Sequence, residues 1–223
     1  MILELGAAPA EEVGGKAAGL ARLVELGLPV PPAVVLPPGE ALDDPAALAA
    51  RLGEPLAVRS SGVGEDGAAR SAAGQYETVL DVDAGGLADA VARVRASAAG
   101  ERARAYGAEG AMAVVIQRQV AATRAGVAFS HDPVGGEGLL VECALGGGEA
   151  VVSGAVTPDR YLVDGDRVRA RAAGSFRVLR DDEVHAVAGH VRRAAAGFGC
   201  GVDVEFCFEG RTLWLVQCRP ITA

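Results

Sequence analysis

Four polar residues near the end of the chain have the types and spacing that hold a polyphosphate. Asp203 and Glu205 lie two apart, so in a strand both carboxylates leave the same face. Gln217 and Arg219 repeat that spacing. Between the pairs, Phe208-Glu209-Gly210 fits a three-residue hairpin loop with glycine in the left-handed position. A loop of odd length keeps parity. It would bring all four side chains to one face and leave Val204, Phe206, Trp214 and Val216 as an apolar stripe on the other. Magnesium takes one or two carboxylates with phosphate oxygens completing its shell, and a guanidinium grips phosphate bidentately. The face reads as a platform for Mg²⁺ and polyphosphate. A solvated strand face with a surface ion pair is the plainer alternative.

Two earlier segments carry phosphate chemistry of a weaker kind. Val58-Arg59-Ser60-Ser61 sets an arginine at the mouth of a strand, beside hydroxyls and a loop dotted with Gly62, Gly64, Gly67 and Gly74. Backbone N–H groups of such a loop can line phosphates, although the order of residues is neither a P-loop nor a dinucleotide fingerprint. A plain loop is the alternative. Gly14-Gly15-Lys16 is equally weak alone, but Lys16 is the single lysine among 21 basic residues. Arginine serves most surface ion pairs equally well, so a surviving lysine suggests a need for a compact, flexible point charge.

Composition sets the frame for these residues. At 223 residues, half of them apolar, the chain can bury one large core or two smaller ones. The formal charge of −8 argues against a sequence-independent grip on nucleic acid or an anionic membrane. No apolar run reaches the roughly 20 residues of a spanning helix, and Met-Ile-Leu-Glu has no basic leader character. The expectation is a cytoplasmic protein. Cys143, Cys200, Cys207 and Cys218 show no metal or redox spacing and read as buried free thiols, while His131, His185 and His190 are too scattered for a metal site.

The elements that must position the polar residues follow from periodicity and breakers. Gly14-Gly15-Lys16 leads into an expected helix over 17–26, closed by Gly27 and Pro29. The proline-bracketed run 30–38 reads as a short edge strand, followed by a helix over 39–52. Strands are expected at 56–61 and 76–82 and a helix at 86–106. Beyond a hinge near 107–112, strands are expected at 113–120, 126–130, 139–145, 160–163 and 168–172, then a helix over 181–198 and the closing hairpin. A mixed first half and a strand-rich second half point to an α+β protein of two lobes, divided as 1–110 and 111–223.

Several motifs occur in a fixed order: Gly15-Lys16-Ala17-Ala18-Gly19-Leu20, Val58-Arg59-Ser60-Ser61, Ala73-Gly74-Gln75-Tyr76-Glu77-Thr78, the stretch Val141-Glu142-Cys143-Ala144-Leu145-Gly146-Gly147-Gly148-Glu149, and Asp203-Val204-Glu205 with Gln217-Cys218-Arg219-Pro220. Over nearly its whole length the chain resembles the nucleotide-binding domain of the phosphoenolpyruvate synthase, pyruvate phosphate dikinase and rifampin phosphotransferase family. The resemblance implies a two-lobed ATP-grasp fold holding ATP and Mg²⁺ between its lobes, and an ATP-dependent phosphotransferase activity. It implies that Lys16 and Arg59 hold phosphates, that Gly74 and Thr78 line a closing loop, and that Gln117 opens the second lobe near adenine or ribose. Glu205 would bind magnesium with Asp203 as helper, and Gln217 and Arg219 would complete the phosphate site. Lys16, Arg59 and Arg219 would serve the transfer itself.

In the full-length relatives, ATP phosphorylates a histidine on a swivelling domain. Here the sequence stops at Ala223, and the expectation is that carrier and acceptor lie elsewhere, the acceptor being a small molecule or a histidine on a partner protein such as a separately encoded swivelling domain. His131 is expected to be an ordinary turn residue. A non-catalytic ATP-binding module and a ligase-type enzyme making an acyl phosphate are the alternatives.

Overall fold

The computed structural model describes residues 1–62, 78–106, 112–133, 138–148 and 156–221, with side chains through 97 in the second stretch. Two compact units divide the chain, one formed by Met1–Ala21 and Pro31–Gln119 and the other by Arg22–Val30 and Val120–Ala223.

The first unit is built on strands β1 (Leu3–Glu4), β2 (Ala33–Leu36), β3 (Leu56–Gly62), β4 (Thr78–Val82) and β5 (Met112–Arg118), hydrogen-bonded in the order β1-β2-β5-β3-β4. Alternation sends Val34, Leu36, Leu56, Val58, Val114 and Ile116 to one face. Helices α2 (Pro45–Leu52) and α3 (Leu87–Tyr106) cover that face through Leu48, Leu52, Leu87, Val91 and Val94. Helix α2 starts later than the sequence suggests. Asp44 accepts the Ala47 N–H at 2.9 Å and Pro45 opens the helix, so the cap sets the start. Strand β2 is not an edge, because β1 pairs along it through Leu3↔Val35 and Glu4↔Val34.

Helix α1 runs from Ala10 to Glu25 with a break at Gly14, whose φ of 77° and ψ of 169° are not helical. The expected start at Ala17 is therefore corrected to Ala10. The break has a visible cause. The Ser61 hydroxyl donates to the Val13 carbonyl at 2.6 Å and accepts the Ala17 N–H at 3.0 Å, replacing the direct bond between those two groups. A Cβ on Gly14 would lie 2.5 Å from the Ser61 carbonyl carbon, so glycine is required for both dihedral and contact.

Strand β5 lies between β2 and β3, with Gln117 opposite both Ala33 and Ala57. The expectation that this strand opens the second lobe is thus corrected. Its long pairing with β3, from Leu56↔Arg118 to Gly62↔Met112, anchors it in the first sheet.

The second unit is a sheet of β6 (Arg124–Phe129), β7 (Leu139–Leu145), β8 (Asp159–Asp164), β9 (Arg167–Arg171), β10 (Val202–Glu209) and β11 (Thr212–Pro220), ordered β11-β10-β6-β7-β8-β9. Helix α4 (Asp181–Phe198) lays Val184, Val187, Ala188, Val191 and Ala194 into a core with Val141, Tyr161, Val204, Phe206, Phe208 and Leu215. Residues 22–30 belong here: Leu23 and Leu28 join that core, and the Leu215 N–H donates to the Pro29 carbonyl at 2.7 Å. Gly126 keeps β6 tight against β7, since a Cβ there would collide with the Glu142 carbonyl.

Two buried polar clusters hold this scaffold. Arg124 pairs with Glu183 at 2.8 Å, donates to the Gly210 carbonyl at 2.8 Å and stacks 4.5 Å over the Phe208 ring. Burial works to raise the Glu183 pKa, but the Arg180 N–H and the Arg124 guanidinium hold it below its ordinary value. Asp159 accepts from the Ala173 N–H, the Val178 N–H and the Tyr161 hydroxyl at 2.7, 2.7 and 2.8 Å, and Tyr161 in turn accepts the Leu179 N–H at 2.8 Å. Burial opposes ionisation of Asp159, yet these donors and Arg177 leave its pKa below the ordinary value.

Ser61→Ala orphans a buried carbonyl and a buried N–H, so urea denaturation should show a loss of about 1–3 kcal/mol. Gly14→Ala should cost more, because strain and collision add. An unchanged midpoint for both variants would mean that the helix break carries no stability. For Asp159, the folded pKa lies below that of the unfolded chain. Its stabilisation is complete above about pH 4 and is lost as pH falls through the folded value. Asp159→Asn should therefore be less stable at neutral pH and show a flatter acid limb in stability against pH. An acid limb as steep as the parent's would exclude Asp159 as a titrating contributor.

Candidate functional site

Strand parity assembles one polar row in each unit. In the first sheet, Arg59 stands directly opposite Thr78. Ala57, Arg59 and Ser61 share a face, and Gln117 joins it through its pairing with Ala57. Arg59, Thr78 and Gln117 are thus together on the face opposite the α2–α3 core. Lys16 lies one residue before the Ala17 N–H that Ser61 holds, so the same face's hydroxyl positions the lysine segment. Gln117 is only 2% exposed, and its Nε2 is buried without a hydrogen-bond partner among the described residues. Gly74 and the rest of its motif before Thr78 lie outside the described residues, as do 107–111 of the expected hinge.

In the second sheet, Asp203 faces Arg219 and Glu205 faces Gln217 across β10 and β11. All four are on one face, as the spacing suggests, but by a different route. The turn contains Gly210 and Arg211 alone, since Glu209 pairs with Thr212. A two-residue loop reverses the parity expected from three, and it makes Leu215 the partner of Phe206. The register then shifts between Phe206↔Leu215 and Glu205↔Gln217, leaving Val216 as the extra residue of a β-bulge. The shift restores the parity that the shorter loop removes. Near the turn the apolar stripe is Leu213 and Leu215 with Phe206 and Phe208, not Trp214 and Val216.

Arg219 donates from Nε and one terminal nitrogen to the same carboxylate oxygen of Asp203, at 2.9 and 2.8 Å. The other oxygen of Asp203 is buried without a partner among the described residues. Burial raises the Asp203 pKa above its ordinary value, although Arg219 pulls it back down. One row of the open face continues across the sheet as Gln217, Glu205, Val127, Glu142 and Arg160, with Glu142 paired to Arg160 at 2.8 Å. Sequence reasoning gave no role to Ser61 or Glu142. Both sit at alternating positions from assigned residues or within the ordered motifs, but only the pairing of strands shows which face they share.

Among the described residues no three His, Cys, Asp or Glu side chains converge on a point. The donor set of Glu205 opposite Gln217 still fits magnesium, which accepts a single carboxylate when phosphate oxygens and water complete its shell. Of the cysteines, Cys143, Cys207 and Cys218 are buried as expected, whereas Cys200 is exposed. Burial pushes the Cys143 and Cys218 thiols up to about 12, so neither is a thiolate at neutral pH. His131 is an exposed turn residue, its ring packed against Gly201 and its Nδ1 3.4 Å from the Ser130 hydroxyl.

Two helix-backed antiparallel sheets, each with a polar row on the opposite face, define an ATP-grasp protein. Solved structures agree on the fold. The biotin carboxylase domain of Hydrogenobacter thermophilus 2-oxoglutarate carboxylase, in complex with MgADP, ADP and bicarbonate, matches with a TM-score of 0.53 and 14% identity over 95% of this chain and 40% of its own. An L-amino acid ligase from Bacillus licheniformis matches at 0.55 and 14% identity over 94% of this chain and 43% of its own. The family model of the pyruvate phosphate dikinase AMP/ATP-binding domain matches residues 39–175 and 167–223, and the chain belongs to that family. A prodigiosin-synthesizing transferase of Serratia marcescens is 32% identical over 94% of this chain and 31% of its own length. A probable phosphoenolpyruvate synthase of Methanothermobacter thermautotrophicus is 35% identical over 79% and 31%, and a rifampicin phosphotransferase of a Streptomyces species is 35% identical over 74% and 23%. The chain thus spans between 23% and 31% of the length of these relatives. Among the described residues no helix is long and apolar enough to cross a membrane.

The bulge makes a sharp prediction. Deleting Val216 removes the extra residue and leaves a continuous ladder in which Gln217 still meets Glu205 and Arg219 still meets Asp203. Arg219 then keeps its partner, so urea denaturation should show a loss well below the roughly 3 kcal/mol that an unpaired buried guanidinium would cost. A loss of about 3 kcal/mol or more would show that the deletion turns Arg219 into the core.

Proposed function

We propose that this chain binds Mg·ATP and supplies the nucleotide half of an ATP-dependent phosphoryl transfer. The observation that carries the proposal is the register of β10 and β11, which sets two carboxylates, an amide and a guanidinium on one face. Phosphoryl transfer asks a protein mainly for positioning and for neutralised charge. Lys16 and Arg59 would hold phosphate oxygens, and Gly74 and Thr78 would line a loop that closes over them. Gln117 would offer its buried amide to the adenine or ribose. Glu205 would hold the magnesium, with Asp203 next to it, and Gln217 and Arg219 would complete the phosphate site. A bound Mg²⁺ would offset charge on the phosphate oxygens.

The acceptor would be a small molecule or a histidine on a protein, such as one on a swivelling domain. Phosphotransferases among the relatives support this reading. A net charge of −8 speaks against nucleic acid and anionic membrane as partners. A protein that consumes ATP would work in the cytoplasm.

Ligand binding to the native state alone raises stability by about 2.7 kcal/mol at a hundredfold excess over Kd, so millimolar Mg·ATP should raise the melting temperature. No shift would refute the proposal. Glu205→Gln keeps the shape and loses the charge, and it should raise the Mg²⁺ needed for half-maximal nucleotide binding by about tenfold. A parental magnesium requirement would place the metal elsewhere.

A further inference from the structure

Two carboxylates on one face invite the reading that both hold metal. The geometry assigns them different work, and the assignment rests on the function proposed above. We infer that Asp203 is a positioning residue for Arg219, and that Glu205 alone of the pair serves the metal. One oxygen of Asp203 takes both the Nε–H and a terminal N–H of Arg219, at 2.9 and 2.8 Å. The other is buried and does not face outward to a cation, while the first is taken up by Arg219. Glu205 is partly exposed on the same face. The exposures divide in the same way: the Asp203 side chain is 11% exposed and that of Arg219 is 37% exposed.

The pair sits in direct register across β10 and β11, so the backbone ladder already brings Asp203 and Arg219 side by side. An unsupported arginine must give up rotamer freedom to meet a phosphate. Here that freedom is lost in folding, and the guanidinium plane is set before any ligand arrives. Asp203 acts through Arg219, and its side chain need not touch nucleotide or metal.

The test compares Asp203→Asn, Arg219→Ala, Arg219→Lys, the double variants and Glu205→Gln. Calorimetric ATP binding is measured at saturating Mg²⁺, then across a Mg²⁺ series. Asp203→Asn should weaken ATP binding at saturating Mg²⁺ by about tenfold, as Arg219→Ala does. Its Mg²⁺ midpoint should stay within about twofold of the parent, while that of Glu205→Gln moves by about tenfold. The Asp203→Asn/Arg219→Ala double should be no worse than the weaker-binding single, because both remove one device. Where Asp203→Asn fails to fold, Arg219→Lys decides. A lysine keeps the charge but cannot present the fork, so it should also lose about tenfold in affinity with an unmoved Mg²⁺ midpoint. A Mg²⁺ midpoint for Asp203→Asn shifted as far as that of Glu205→Gln, losses that multiply in the double, or parental affinity in Arg219→Lys would overturn the inference. A parent chain that does not bind Mg·ATP at all would instead overturn the proposed function.

Discussion

The candidate site in the second unit depends on one extra residue. Val216 interrupts the ladder between β10 and β11, and below it every side chain of β11 changes face. Side chains alternate with a period of two, so a single insertion is a complete switch and no smaller adjustment does the same. With the bulge, Leu213 and Leu215 can pack beneath the sheet while Gln217 and Arg219 stand on its open side. A continuous ladder would satisfy either the core or the polar row, but not both.

A bulge can do this only on a rigid sheet. Arg124 supplies part of that rigidity by joining three pieces of the second unit: its own strand, the first turn of α4 and the tip of the hairpin. A buried ion pair is weak as a source of stability when compared with apolar packing, but its directional bonds select one arrangement of these pieces. The Asp159 cluster does similar work farther along the sheet, tying 173–179 to β8 through backbone donors. Helix α4 then covers the core face with a row of valines and alanines.

The first unit solves a comparable problem with a hydroxyl. Lys16 follows a helical break, and a broken helix leaves a carbonyl and an N–H unpaired. Ser61 satisfies both from the end of β3, two residues from Arg59 on the same face. The two basic residues separated by more than forty positions are thereby referred to one strand. Gly14 lets the backbones approach closely enough for this, and its lack of a side chain is a packing requirement.

Much of this was legible in the residues. Two-residue spacing identified Asp203 with Glu205, and Gln217 with Arg219, because period two is a local property of any strand. Helical and strand periodicities located α4 and most strands for the same reason. The singular lysine and the ordered motifs marked Lys16 and Arg59 without showing what joins them. Local signals could not decide the rest. The turn is one residue shorter than expected, and no local signal marks the bulge; the shared face survives because the two parity changes cancel. Strand β5 was assigned to the wrong sheet, since pairing partners are chosen by contacts far apart in the chain. The parity of a three-residue loop sends Trp214 to the core, yet Leu215 takes that place because the turn is one residue shorter. The sequence determined which side chains could alternate together. Only the tertiary structure decided which partners they met, because register is settled by how every strand packs at once.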